Sequence, residues 1–257
     1  MPQPNYRLIS QGSQLGIGVG GSQYVHVQAV AKSNSDISPY CVPNEVICGE
    51  IGRFLRLPIP PSGLVLSTAR SPMVASLDFN LTGNTLPPVD VLRCVQDLPK
   101  LAAGVLIFDI LIGNCDRHRQ NFSVDFLSSP PQMNVFDHDR ALLGYEPTKG
   151  MDRLSATRDR LGVSWGSVEP FGSGAMKHCL LEAVDTDTHF GEWIDRAASL
   201  PKFFVEEVCL DAVHVGLSEL EAKAAADFLI YRKSELRSII QNNREKFTAI
   251  DTWSLFP

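Results

Sequence analysis

Hydrophobic and polar positions follow two different rhythms along this chain. From residue 6 to residue 32, short runs rich in Val, Ser and Gln are broken by glycines, which is a β-like texture. Residues 6–10 are predicted as a strand, 11–14 as a tight turn and 15–19 as a second strand. Gly20, Gly21 and Ser22 predict a hairpin turn, because glycine takes positive φ without a Cβ clash. Residues 24–32 then alternate. Val25, Val27, Ala29 and Ala31 fall on one face and His26, Gln28, Val30 and Lys32 on the other, predicting a half-buried strand. A helix is expected to open at Pro43, with Val46, Ile47, Ile51, Phe54 and Leu55 at helical spacing, and to stop before Pro58. Short strands are expected over residues 64–67 and 73–79.

Further on the texture changes. Residues 98–113 are apolar nearly all round and long enough for a core helix. A polar loop follows over 113–121, and a short strand over 134–136 leads into Asp137, His138 and Asp139. Residues 217–247 read as helix, with Leu220, Ala224, Phe228, Leu229, Leu236, Ile239 and Ile240 as the apolar stripe. The expected architecture is α+β: a small β-rich lobe with one helix over residues 1–80, then a mainly helical lobe over 81–257, with no internal repeat.

Of the 257 residues, 44% are hydrophobic and 20% charged, as in ordinary globular chains and unlike disordered or fibrous ones. With 23 basic against 29 acidic residues the net charge is −6, so no global field attracts nucleic acid or an anionic membrane, and neither is expected as a partner. No apolar run approaches the ~18 residues of a membrane span, and the N-terminus carries no leader pattern. The six cysteines form no CxxC pair and no zinc-ligand spacing, and read as reduced thiols. These features together place the expected location in the cytoplasm.

The densest polar cluster, residues 113–121 (GNCDRHRQN), is followed 16 residues after Asn121 by Asp137. Phosphoryl transfer from ATP needs a carboxylate to orient the attacking hydroxyl. It also needs an amide oxygen and a second carboxylate to hold Mg²⁺. Asp116, Asn121 and Asp137 supply that set. A surface loop whose Asp and Asn merely cap turns is the bland alternative.

The stretch GNCDRHRQN followed by VFDHDRAL resembles the catalytic and metal-binding segments of HipA-like kinases, whose pattern is close to GNxDRHxxN and then DHxxAL. Related DRHxxN loops occur in phosphatidylinositol 3- and 4-kinases. Upstream, NEVICGEIGRFLRLPIPP is similar to the family's glutamate helix, and SLPKFFVEEV and FLIYRKSELRSII to its closing helices. The resemblance touches both lobes. It implies a bilobal, protein-kinase-like fold using ATP and Mg²⁺, with Asp116 as the catalytic aspartate and Asn121 and Asp137 as metal ligands. Glu45 matches the helix glutamate that pairs with a nucleotide-binding lysine, and Lys32 is the candidate lysine, since no other Lys occurs before Lys100. A shifted register would put Gln28 in that place. Gly12 and Ser13 match the glycine-rich turn over the phosphates; Gly16, Gly18 and Gly21 also spell GxGxxG but are the second choice. His118 would stabilise phosphate charge or brace the loop backbone. Of the loop after Asp137, His138 reads as a support for that aspartate and Asp139 as a solvated or outlying carboxylate.

The default acceptor implied by the resemblance is a protein Ser or Thr hydroxyl, with an antitoxin or regulatory protein as a further partner. A lipid or small-molecule kinase is the nearest alternative, and a nucleotide-binding pseudokinase the non-enzymatic one. A metal-dependent phosphohydrolase built on His138-Asp139 is a third, but such sites hang their ligands on helices.

Overall fold

In a computed structural model, which describes residues 6, 8–14, 21–80, 83, 86–162 and 178–255, the alternating run at 24–32 forms two strands rather than one. β2 (Gln23–Val27) and β3 (Ala29–Ser33) are separated at Gln28, whose carbonyl accepts a hydrogen bond from the Asp78 N–H. β2 pairs antiparallel with β1 (Leu8–Gln14) in a two-stranded ribbon of its own. Every residue of that ribbon is exposed, so the half-buried strand expected here is buried on neither face of β2. The tight turn expected at 11–14 is absent as well. Gly12 and Ser13 lie within β1, and Gly12 is needed for another reason: a Cβ there would come within 3.0 Å of the Tyr24 Cβ across the ribbon. The connection from β1 to β2 therefore falls in residues 15–22, and the strand expected at 15–19, with Gly16 and Gly18, lies outside the described residues.

β3 pairs with β5 (Pro72–Leu77), which pairs on its other side with β4 (Ser62–Leu66), both antiparallel. The register sets Val30, Ser76 and Ser62 side by side, with Lys32, Val74 and Leu64 as the next row on the same face. α1 (Cys41–Phe54) packs against β3 and β5 and opens two residues earlier than Pro43. It is tied at its start: Asn34 accepts from the Val42 N–H at 2.8 Å and donates to the Val215 carbonyl at 2.8 Å, and the Tyr40 hydroxyl donates to Glu221 at 2.6 Å.

The remaining chain is mostly helical. α2 (Val91–Asp97) is followed by α3 (Pro99–Ile112), whose Pro at the first turn and left-handed Gly113 (φ 63°) mark its two ends. From Ala102 to Ile112 every residue of α3 is buried, as its all-round apolar sequence predicts. β6 (Phe122–Asp125), unexpected from sequence, pairs antiparallel with β7 (Gln132–Val135). α4 (Gly150–Thr157), α5 (Phe190–Ala198), α6 (Lys202–Asp211) and the long α7 (Glu219–Gln241) complete the order. α7 opens with a capping box between Ser218 and Glu221, and α3, α4, α5 and α6 all pack on it. Its expected stripe needs one correction: Leu220 is 71% exposed, while Arg232 is fully buried. The architecture is α+β, with helices dominating after residue 90. Among the described residues no helix is long and apolar enough to cross a membrane. The six cysteines are free thiols.

Candidate active site

The three-stranded sheet, α1 and the end of β7 enclose a cavity of about 470 Å³ lined by Val30, Lys32, Val74, Phe79, Phe136 and Asp137 among others. Lys32 enters from β3 and ion-pairs with Glu45 of α1 at 2.5 Å and with Asp137; Asp139 lies 4.0 Å away. Burial by itself would weaken this ammonium, but Glu45, then Asp137 and Asp139, outweigh it and hold Lys32 above the usual lysine range. Burial likewise pushes the Glu45 carboxyl up, yet the hydrogen bond from His138 and the charge of Lys32 win and bring it down to about 2. The structure thus joins Lys32, Glu45 and Asp137, residues distant in sequence. Gln28 takes part in none of these contacts.

Two residues, Glu45 and Asn44, lock α1 onto the segment after β7. Glu45 accepts from the His138 N–H at 3.1 Å and meets His138 Nδ1 at 3.3 Å. Asn44, fully buried, donates to the carbonyls of Asp139 at 2.7 Å and Gly144 at 2.9 Å. Asp137 adopts φ 66°, a left-handed geometry that Asp tolerates better than most residues but that surroundings must hold in place. His138 and Asp139 follow a strand and sit in a turn, not on a helix, so the phosphohydrolase arrangement is missing.

The loop after α3 carries Asp116. Its Oδ2 lies 3.4 Å from Asn121 Nδ2 and 3.6 Å from Arg140 Nε, while its Oδ1 is buried with no hydrogen-bond partner among the described residues. Burial raises the Asp116 carboxyl above its usual range, against the lowering pull of Arg140 and His118. A buried carboxylate oxygen without a donor is a site for an incoming O–H. Asn121 spends Nδ2 on the Asp116 carbonyl at 2.7 Å, which leaves its Oδ1 as the atom available to a cation. His118 keeps its ring on the loop itself, Nδ1 accepting from the Gln120 N–H at 3.2 Å. Gly12 and Ser13 do not line the cavity.

Asn121 and Asp137 are hard oxygen donors, the kind Mg²⁺ prefers, and that ion commonly takes only one or two protein carboxylates beside phosphate and water oxygens. The donor set therefore fits Mg²⁺ carried by a nucleotide. Among the described residues no group of three or more His, Cys, Asp or Glu side chains could hold a metal by itself.

Sequence reasoning missed the support beneath this site. Asp109, the sole charged residue between Leu101 and Ile112, sits fully buried and takes Arg117 Nε at 2.8 Å, Asn114 Nδ2 at 2.8 Å and His178 Nε2 at 2.8 Å. An acid inside an otherwise apolar core helix was the available signal.

No family model matches the sequence, and no curated protein matches it. Solved structures do. The Helicobacter pylori proinflammatory kinase CtkA aligns over 94% of this chain and 97% of its own, at 14% identity and TM-score 0.51. HipA of Shewanella oneidensis MR-1, solved with HipB and operator DNA, aligns over 97% of this chain and 67% of its own, at 13% identity and TM-score 0.43. The chain therefore shares its fold with the kinase CtkA.

Proposed function

We propose that the chain is a HipA-like, Mg-ATP-dependent kinase that phosphorylates a Ser or Thr hydroxyl of a protein. In this reading residues 1–80 and 81–257 are the two lobes of one kinase domain, with the nucleotide between them. The observation that carries the reading is Lys32 held between Glu45 and Asp137 at the wall of the 470 Å³ cavity. A lysine so oriented meets the α- and β-phosphates. Asn121 and Asp137 would hold Mg²⁺, whose charge would offset that of the triphosphate. Asp116 orients the acceptor hydroxyl and takes its proton as that oxygen bonds to the γ-phosphorus and the bond to the ADP oxygen breaks. His118 braces the loop. An antitoxin-like partner is proposed from the sequence resemblance alone.

Thermal unfolding with and without Mg-ATP tests the reading. Nucleotide at 100 times its Kd should stabilise the fold by about 2.7 kcal/mol, a rise of roughly 5–10 °C in a domain of this size. No Mg-dependent rise at millimolar ATP would discard it. Incubation with γ-labelled ATP and a cell extract, followed by mass spectrometry, should then place label on protein Ser or Thr; label on lipid alone would favour the lipid-kinase alternative.

Lys32→Met should weaken ATP binding by at least about tenfold, or about 1.4 kcal/mol, measured by calorimetry. Lys32→Arg should not restore it, because a planar fork replaces a compact ammonium. Gln28→Ala should leave binding unchanged, since Gln28 contributes its backbone carbonyl. The reverse pattern would assign the nucleotide lysine's place to Gln28.

A further inference from the structure

Arg117 stands between the two segments that carry Asn121 and Asp137, and nothing in the proposed chemistry uses it. Its guanidinium is fully buried. Nε and Nη2 grip Asp109 side-on at 2.8 and 3.1 Å. Nη1 donates to two backbone carbonyls, that of Asn121 and, at 2.6 Å, that of Phe136, the residue directly before Asp137. One nitrogen atom therefore ties the catalytic loop to the end of β7 at the points where the two oxygen ligands leave the backbone.

The rest of the cluster keeps that fork aimed. His178 Nε2 donates to Asp109 Oδ2 at 2.8 Å, and its Nδ1 accepts from the Leu180 N–H at 3.2 Å, an arrangement that suits a neutral imidazole. Burial pushes the His178 pKa down, in keeping with that form. The other oxygen of Asp109 takes Asn114 Nδ2 at 2.8 Å, and Asn114 Oδ1 accepts from the Asp116 N–H at 3.1 Å. Asp109 thus organises all three candidate residues, Asp116 through Asn114, and Asn121 and Asp137 through Arg117.

A buried ion pair is weak evidence of stability, because apolar residues of the same volume often serve as well. What an apolar side chain does not do is hold two carbonyls at a set spacing, next to an aspartate in left-handed geometry. We propose that Arg117, aimed by Asp109 and His178, is a positioning residue that sets the separation of Asn121 and Asp137 and thereby the affinity for nucleotide-borne Mg²⁺. The inference rests on the kinase reading above.

The test is calorimetric titration of MgCl₂ into the full chain bound to a non-hydrolysable ATP analogue, beside metal-free nucleotide binding and the melting temperature. Arg117→Lys keeps the charge but not the fork. It should raise the apparent Mg²⁺ Kd by about 10–100-fold, the usual effect of losing a group that orients a metal ligand, while metal-free nucleotide affinity stays within about twofold. His178→Ala should raise it in the same direction, and His178→Gln, which keeps a donor for Asp109, should restore most of the loss. A purely structural role would lower the melting temperature and leave the Mg²⁺ constant of the folded protein unchanged. Where Arg117→Lys fails to fold, the His178 pair decides. An unchanged Mg²⁺ constant in the folded variants overturns the positioning role while the kinase reading survives. A wild-type chain without Mg²⁺-dependent nucleotide binding removes both.

Discussion

Asp116→Asn is expected to lower kcat by about 10²–10⁴-fold, the usual contribution of a positioned acid or base, and to leave ATP affinity unchanged. The side chain meets Asn121 and Arg140, neither of which lines the nucleotide cavity, so binding and transfer separate at this position. Stability supplies a second readout with its sign fixed in advance. Burial raises the folded-state pKa of Asp116, so its ionised form weakens the fold at pH above that raised value. The penalty vanishes below the ordinary carboxylate pKa. Near neutral pH the amide should therefore melt at the same temperature as the wild type or higher. Loss of fold in step with loss of activity would mark Asp116 as a structural cap. Wild-type transfer to a verified acceptor would remove it from the mechanism.

Arg232→Met should destabilise the chain by about 3–5 kcal/mol, the range for breaking a buried charged network. Arg232 reaches from α7 into the place where α3 and α4 end. Its guanidinium donates to the carbonyls of Ile110 and Leu111 from α3 and of Thr157, Arg158, Arg160 and Leu161 at and after the end of α4. Helix C-termini leave such carbonyls unpaired and partly negative, so two converging ends make a site for one buried cation. Methionine fills the space but strands those acceptors. Arg232→Lys should recover only part of the loss, since an ammonium has three donors and no fork. The unfolding midpoint in urea measures both, and a change below about 1 kcal/mol for the methionine variant would refute the account.

What could be read from sequence divides along physical lines. α3 is legible because an apolar run of that length has few alternatives, and the pairing of Lys32 with Glu45 because residue type and spacing match a resemblance. Gly12 lies in a strand and not in the expected turn, and a glycine crowded by a cross-strand neighbour looks the same in sequence as one required by a turn. β6 has four residues, too few to show alternation inside a polar stretch. In α7, hydrophobic spacing points to Leu220 for the core and not to Arg232, since it carries no information about where carbonyl ends converge. Asp109 and His178 are 69 residues apart, and no local period relates them.

The anchoring of α1 has a consequence for how the molecule spends its conformational freedom. Displacing this helix would pull Asn44 from the Asp139 and Gly144 carbonyls, at about 1–3 kcal/mol for each buried acceptor left bare. It would also part Tyr40 from Glu221. The joining of Lys32 to Glu45 is therefore backed by bonds made at Asn44 and Tyr40, outside the ion pair itself. Moving α1 thus costs more than the Lys32–Glu45 pair alone, whereas both strands of the β1–β2 ribbon are exposed throughout.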